Sequence, residues 1–458
     1  MAGLDLFLKY IRLPVSVGLL GCLLVAIMVP LRGAGARELS FIRDAEIENT
    51  IRAYATPVFV AAGLEPSAIN IYLVNDNTLN AFVAGGQKLF LNTGLLTRTE
   101  NAGQVIGVIA HEAGHIAGGH LSRQRDAMKA ASAQSILALV LGGAAIIGGQ
   151  GEVGSALVLG GSELSKRSFL QYSRTQEGAA DAAAMKYMEA TGQSSRGLRE
   201  FFEILGDQEF IGESRQDPYY RSHPLTRQRI QAVDNFIANS AYSDTPVKAD
   251  FAMRHGRMKA KLLAFLNAPT ATLRRYRNND TSIEARYARA IAYYRKADLE
   301  RALPLIDGLI AEQPDDPYFH ELKGQMLYEN GRNAEARPSY RKAAELAPKS
   351  PLIHSELAQV LVEANDPALL DEAIRHLITS IRMDRSDGAS WRQLAIAYGR
   401  QGKTADSSLA LGEEALLYGN VSNAIYHAER VEKLLPTGSR GWLQAQDILT
   451  AARNMKSK

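Results

Sequence analysis

His111-Glu112-Ala113-Gly114-His115 is the segment whose residue types and spacing could do chemistry. Two imidazoles four residues apart on a helix, at about 100° of turn per residue, share one face and can share one cation. Neutral imidazole suits zinc. Glu112, one position on from His111, can take a proton from a bound water instead of binding the metal. The pattern should arise by accident in roughly one chain in a hundred of this length, which weakens the competing reading of two solvated histidines. A single cysteine, Cys22, excludes a cysteine-rich metal site, so any metal must be held by His and carboxylates.

A catalytic zinc usually takes three protein ligands and leaves one position for water. One pattern for the third ligand is H-E-x-x-H-x-x-G-x-x-H, whose glycine is present as Gly118, but the last histidine position holds Leu121 and His120 is one residue off. The other pattern closes the site with a Glu from a second helix. Glu177, in Ser173-Arg174-Thr175-Gln176-Glu177-Gly178-Ala179-Ala180-Asp181, is placed for that, and Asp181, one turn later on the same face, could orient a ligating histidine. A surface carboxylate on an amphipathic helix is the alternative for Glu177. His120 reads as a packing or hydrogen-bonding residue.

These residues need elements to position them. Ile42, Ile47, Ile51 and Tyr54 are spaced for a helix from Glu38 to about Ala62, with Pro66 in the loop after it. Short strands are expected over Ile69 to Asn75, Leu79 to Ala84 and Lys88 to Leu91, separated by Asn75-Asp76-Asn77 and Gly85-Gly86. Gln104 to His120 then has helical periodicity and carries the HEAGH segment. Residues 129–162 are nearly uncharged, and their longest apolar block, Ile136 to Gly149, is short for a bilayer span. They read either as a core hairpin or as a membrane-facing or substrate-covering flap.

After Pro246 the pattern is helical to the end, with a period of 34. Pro314 recurs as Pro348 and Pro317 as Pro351; Tyr294 matches Tyr328, Ala297 matches Gly331, and Ala290, Gly324 and Ala358 are successive small residues. This is the period of tetratricopeptide helix pairs, which need small residues where two helices approach closely. A further unit, with a short insertion near Asn365 to Leu370, brings Trp391, Leu394, Ala395 and Tyr398 into similar positions. Helices near Ala405 to Tyr418 and Val421 to Leu434 extend the stack, and Trp442 is expected to pack a terminal capping helix.

At 458 residues the chain should hold two or three domains, and 46% apolar with 22% charged residues is a globular composition. A net charge of +3 offers no basic field for nucleic acid, which is set aside as a partner. Lys9 and Arg12 precede an apolar stretch from Leu13 to Leu31, followed by Ala34-Gly35-Ala36, which reads as an export signal cleaved after Ala36. The alternatives are an uncleaved inner-membrane anchor over residues 13–31 and a lipoprotein signal at Leu20-Gly21-Cys22.

HEAGH, His120, the SRTQEGAAD segment and the later Ser222-His223-Pro224 with Arg229 together resemble the gluzincin metallopeptidases related to HtpX and the CAAX prenyl protease. With an export signal in front and repeats behind, the chain is most similar to their BepA group, periplasmic proteases that maintain outer-membrane assembly. The resemblance implies one zinc held by His111, His115 and Glu177, with Glu112 as general base. It implies a sheet edge at Asn80-Ala81-Phe82 that pairs with substrate backbone, as edge strands can. It also implies that His223 can approach the zinc and take the water position; a loop histidine before proline is the alternative. Arg229 could stabilise a developing oxyanion or pair with Asp or Glu.

The expected architecture is therefore mainly α (α+β): a signal over 1–36, a helical metallopeptidase domain with a small edge sheet over 37–246, and an all-α tetratricopeptide solenoid over 247–458. The expected function is endopeptidase cleavage of misfolded or stalled envelope proteins in the periplasm. Expected partners are unfolded substrates and the envelope assembly machinery, with possible peripheral membrane contact. The rival is a chaperone or assembly factor working through the repeats with its protease site closed.

Overall fold

The computed structural model describes residues 40–120, 174–206 and 215–456. The expected signal over 1–36 and the apolar segment 129–162 lie outside the described residues. The described part begins with a correction. Phe41–Ile42 is not the start of a helix but a strand, β1, paired antiparallel with Leu73 and Val74. The first helix, α1 (Ala45–Ala61), starts where the Asp44 side chain accepts the Ile47 N–H at 2.9 Å. Apolar spacing alone does not register this cap, which is why it placed the helix start too early.

Three strands follow near their expected places: β2 (Asn70–Val74), β3 (Ala81–Ala84) and β4 (Lys88–Asn92). The sheet order is β1-β2-β4-β3, with β2 parallel and β3 antiparallel to β4. Gly85 and Gly86, at φ +59° and +88°, make the tight β3–β4 turn that side-chain-bearing residues rarely adopt. Alternation gives the sheet two faces. Leu73, Leu89, Leu91, Ala81 and Val83 enter the core with α1, while Tyr72, Phe90 and Phe82 stack in a row on the other face at 4.9 and 4.7 Å.

A short helix, α2 (Thr93–Arg98), leads to α3 (Ala102–Ala117), capped by Asn101 accepting from the Gln104 N–H at 3.1 Å. Every residue of α3 from Ala102 to His115 is buried, so the HEAGH residues sit inside the domain. Glycines let other helices come close. A Cβ at Gly107 would lie 2.8 Å from the Leu198 Cα, and one at Gly114 would lie 2.9 Å from the Ala180 carbonyl oxygen. Ala180 belongs to α4, the helix over 174–190 that carries Glu177 and Asp181. Helices Arg196–Gly206, Pro218–Ser222 and Arg227–Asn239 complete this half.

The repeats appear as helix pairs. Ile283–Tyr294 with Leu299–Glu312 is followed 34 residues on by Pro317–Glu329 with Asn333–Leu346, and again by a pair opening at Pro351–Glu363. The expected insertion is a short turn of 3-10 helix, Pro367–Leu369, before Leu370–Met383. Left-handed residues Ala297, Gly331 and Asn365 mark the turn inside each pair. Ala290 and Ala358 are fully buried, and a Cβ on Gly324 would strike the Tyr340 ring at 2.7 Å. The last helix, Arg440–Lys456, packs through Ala445, Ile448, Leu449 and Ala452, while Trp442 is only half-buried.

Helix Ala249–Leu266 belongs to both halves. Phe251, Met258 and Leu262 lie in the core with α1 and α3, while Ala260 and Ala264 lie in the core of the first repeat. Charges are buried along it. Arg257 pairs with Glu46 at 2.7 Å and with Asp316, Lys261 pairs with Asp44 at 2.8 Å, and the Tyr287 hydroxyl donates to Glu46 at 2.7 Å. Burial works against the Glu46 anion, but Arg257 and Lys261 outweigh it and hold its carboxyl below the usual range.

Candidate active site

One turn of α3, one of α4 and the loop after helix Pro218–Ser222 meet at a point. His111 and His115 face it with Nε2 atoms 3.0 Å apart, and the Glu177 carboxylate lies 3.3 Å from His111 Nε2 and 3.4 Å from His115 Nε2. His223 arrives with Nδ1 at 3.3 Å from His111 Nε2 and 3.0 Å from Glu177. Four donors on four residues thus lie within 4.8 Å of one another, all buried. A tetrahedral cation with bonds of about 2.1 Å would set its ligands about 3.4 Å apart. The spacing fits.

The surroundings fix the ring orientations. His111 Nδ1 lies 2.8 Å from Asp181, which turns Nε2 to the cluster. Asp181 is gripped by Arg229 through Nε at 2.6 Å and Nη2 at 2.9 Å. The same guanidinium reaches Glu177 at 3.2 Å and donates to the carbonyls of His223 and Pro224 at 3.2 and 3.0 Å. Its donors are engaged in holding α4 and the His223 loop together. His120 Nδ1 lies 2.9 Å from His115 Nδ1, the hydrogen-bonding place expected of it.

Glu112 is 1% exposed, and neither carboxylate oxygen has a hydrogen-bond partner among the described residues; the nearest cationic candidate, His223 Nε2, is 3.6 Å away. A buried carboxylate without hydrogen bonds is costly, so the site is built for a polar group between Glu112 and the four donors. The donor chemistry fits a metal. Burial raises the Glu112 carboxyl, only partly offset by His223 and His111. Burial also opposes a charge on His111, but Asp181 and Glu177 prevail and push it up to about 9, whereas burial, His111 and His223 push His115 down to about 2. The carboxylates therefore favour one positive charge here, which a cation can supply.

Asn80-Ala81-Phe82 straddles the start of β3, an edge strand that hydrogen-bonds to β4 and lies against α3. Two contributors escaped the sequence reading. Tyr219 is buried with its ring centre 4.5 Å from that of His223, and Asp217 ties the same turn to the sheet. A tyrosine one helical turn before His223 was a signal in principle.

A helix-borne pair of histidines, a carboxylate from a second helix and a buried glutamate without a hydrogen bond among the described residues define a metallopeptidase. Residues 42–237 match the model of Peptidase family M48, and residues 287–351 match that of a Tetratricopeptide repeat. The chain is a metallopeptidase whose peptidase half is similar to family M48 and whose later helices are similar to tetratricopeptide repeats. Over most of its length it is similar to the Beta-barrel assembly-enhancing protease of Yersinia pestis, 24% identical over 387 residues, covering 84% of this chain and 79% of that one. The protein of the same name from Escherichia coli (strain K12) is 22% identical, with 84% and 78% covered. Metalloprotease LoiP of the same strain is 30% identical over 172 residues, 37% of this chain and 62% of its own. No helix among the described residues is long and apolar enough to cross a membrane.

Proposed function

We propose that the chain is a zinc-dependent endopeptidase of the bacterial periplasm that degrades misfolded or stalled proteins during outer-membrane protein quality control. The observation that carries this reading is the convergence of His111, His115 and Glu177 beside the buried Glu112, whose oxygens accept no hydrogen bond among the described residues. Zinc held by these three donors would supply Lewis acidity to the scissile carbonyl and to the attacking water. Glu112 takes the proton as water adds to the carbonyl carbon, and returns it to the amine as the C–N bond breaks. Burial, which raises this carboxyl, makes it a better proton acceptor. Asp181 keeps His111 in the ligating tautomer, and Arg229 positions Asp181, Glu177 and the His223 loop. Asn80, Ala81 and Phe82 would pair with substrate backbone along β3, which tolerates varied side chains.

Residues 1–36 would direct export and be removed, 37–246 would carry the peptidase and 247–458 the repeats, which recruit substrates or the envelope assembly machinery. The relatives' printed name supports an assembly setting. Purified protein should contain about one zinc per chain; Glu112→Gln should keep it and lose at least about 100-fold in cleavage of an unfolded protein, while Glu177→Gln should lose the metal. Equal zinc loss in both variants would overturn the assignment.

One observation favours a second reading. His223 stands within the donor set, where it would fill the fourth position and keep the protease latent while the repeats act as an assembly factor. Full biological function in a Glu112→Gln strain would favour that reading.

A further inference from the structure

Asp217 occupies the N-cap of helix Pro218–Ser222, where an aspartate ordinarily accepts the first free N–H groups, yet its side chain makes no cap hydrogen bond. It is directed elsewhere. One carboxylate oxygen accepts the backbone N–H of Leu79 at 3.0 Å and the other accepts from Arg98 at 2.7 Å. The Tyr219 N–H donates to the Leu79 carbonyl at 3.3 Å, so residues 217 and 219 hold both backbone polar groups of Leu79.

The side of the strand on which this happens matters. The Asn80 carbonyl faces β4, accepting from the Asn92 N–H at 3.0 Å. Successive residues of an extended chain point their polar groups to opposite sides, so those of Leu79 face the outer edge of β3. A peptide that pairs along Ala81–Ala84 and continues past Asn80 meets Asp217 and Tyr219 already in place. At the other end of this five-residue helix His223 is the C-cap, its N–H bonded to the Tyr219 carbonyl at 2.8 Å and its ring against that of Tyr219.

We infer that Asp217 is a positioning residue that ties His223 to the start of the edge strand, so that a peptide taking the Leu79 backbone groups releases helix Pro218–Ser222 and withdraws His223 from the donor set. This rests on the proposed roles of β3 and His223. Capture of substrate and opening of the site are then one event: chains long enough to reach Leu79 activate their own cleavage.

The test uses full-length protein, zinc-loaded for kinetics and cobalt-loaded in a Glu112→Gln background for spectroscopy, with β-casein as the unfolded probe. In the cobalt protein, casein should alter the visible ligand-field bands as His223 leaves. Asp217→Ala should lower both the KM and the casein concentration giving half the spectral change by about threefold to tenfold, with kcat little moved, because peptide no longer competes with the carboxylate. Asp217→Asn retains an acceptor for the Leu79 N–H and should stay within about twofold of the parent. Arg98→Gln leaves Asp217 in place but removes its ion pair with Arg98, and should shift both half-points in the same direction by less; it reports even where Asp217→Ala does not fold. Unmoved half-points in Asp217→Ala and Arg98→Gln, or an Asp217→Asn protein behaving like Asp217→Ala, would sink the inference alone, provided His223→Ala changes the cobalt bands. Bands identical in parent and His223→Ala would instead overturn the ligand role of His223, and the inference with it.

Discussion

Asp181 reaches no donor position of the site, yet it decides what His111 can do. Its carboxylate accepts from His111 Nδ1 and is itself clamped by Arg229, so the anion, the imidazole and the guanidinium form one buried chain. Asp181→Asn would keep an acceptor but remove the charge and turn an amide toward Arg229 or His111. Loss of such a partner typically costs 10–100-fold in metal affinity. Competition with a chelator at fixed pH should show that weakening with helical content unchanged; unaltered affinity would mean that His111 is oriented by packing alone. At this scale the chemistry was readable where it is local: the i, i+4 imidazoles and Glu112 follow from five consecutive residues. Asp217 was not readable, because an aspartate before a short helix reads as a cap, and only the folded chain brings Leu79 and Arg98 to it.

The elements set how closely those residues approach. Gly114, inside the turn between His111 and His115, allows α3 to run against the backbone of α4, so a Gly114→Ala methyl would sit 2.9 Å from the Ala180 carbonyl oxygen. The helices must part, and α4 carries Glu177 with it. Overpacking of this kind costs about 1–3 kcal/mol. We expect Gly114→Ala to fold with a lower melting temperature and with zinc affinity reduced at least about tenfold, measured by the same competition. Affinity equal to the parent's would show that the helix contact does not set the ligand spacing. On helix Ala249–Leu266, His255 is 3% exposed, with Nε2 3.3 Å from the Thr99 carbonyl and Nδ1 buried without a hydrogen bond among the described residues. Burial, aided by Lys259, holds its pKa at about 4, against 6.5 for the free side chain. The folded state therefore binds fewer protons than the unfolded one between those values. The stability His255 contributes is complete above about pH 6.5 and is lost as pH falls through about 4, up to about 3 kcal/mol. Denaturation at pH 7 and pH 4.5 should show a larger loss for the parent than for His255→Gln; equal losses would put the acid sensitivity elsewhere. Helices and the 34-residue period were legible because each repeats a local pattern. β1 was not, since two residues become a strand only when β2 lies beside them.

For the whole molecule, the deciding contacts are the buried charges around Arg257, Lys261, Glu46 and Asp316. Removing one member of a buried ion pair strands its partner and typically costs 3–5 kcal/mol. Calorimetry of the parent should give one cooperative transition over both halves. Arg257→Leu leaves Glu46 and Asp316 without their shared cation and should split that transition in two; a single transition at the parental temperature would show that the apolar faces alone couple the halves. In the sequence Glu46 is an ordinary acidic residue in a helix's first turn, and nothing local marks it as a partner for a residue some two hundred positions later. Helix Ala249–Leu266, with Phe251, Met258 and Leu262 in one core and Ala260 and Ala264 in the other, carries the same lesson into heredity. A recombination that exchanged repeat arrays at Pro246 would take away part of the enzyme's interior with them. Viable crossovers should fall after Leu266, so an ancestor that traded its repeats would have kept this helix as an heirloom of the peptidase.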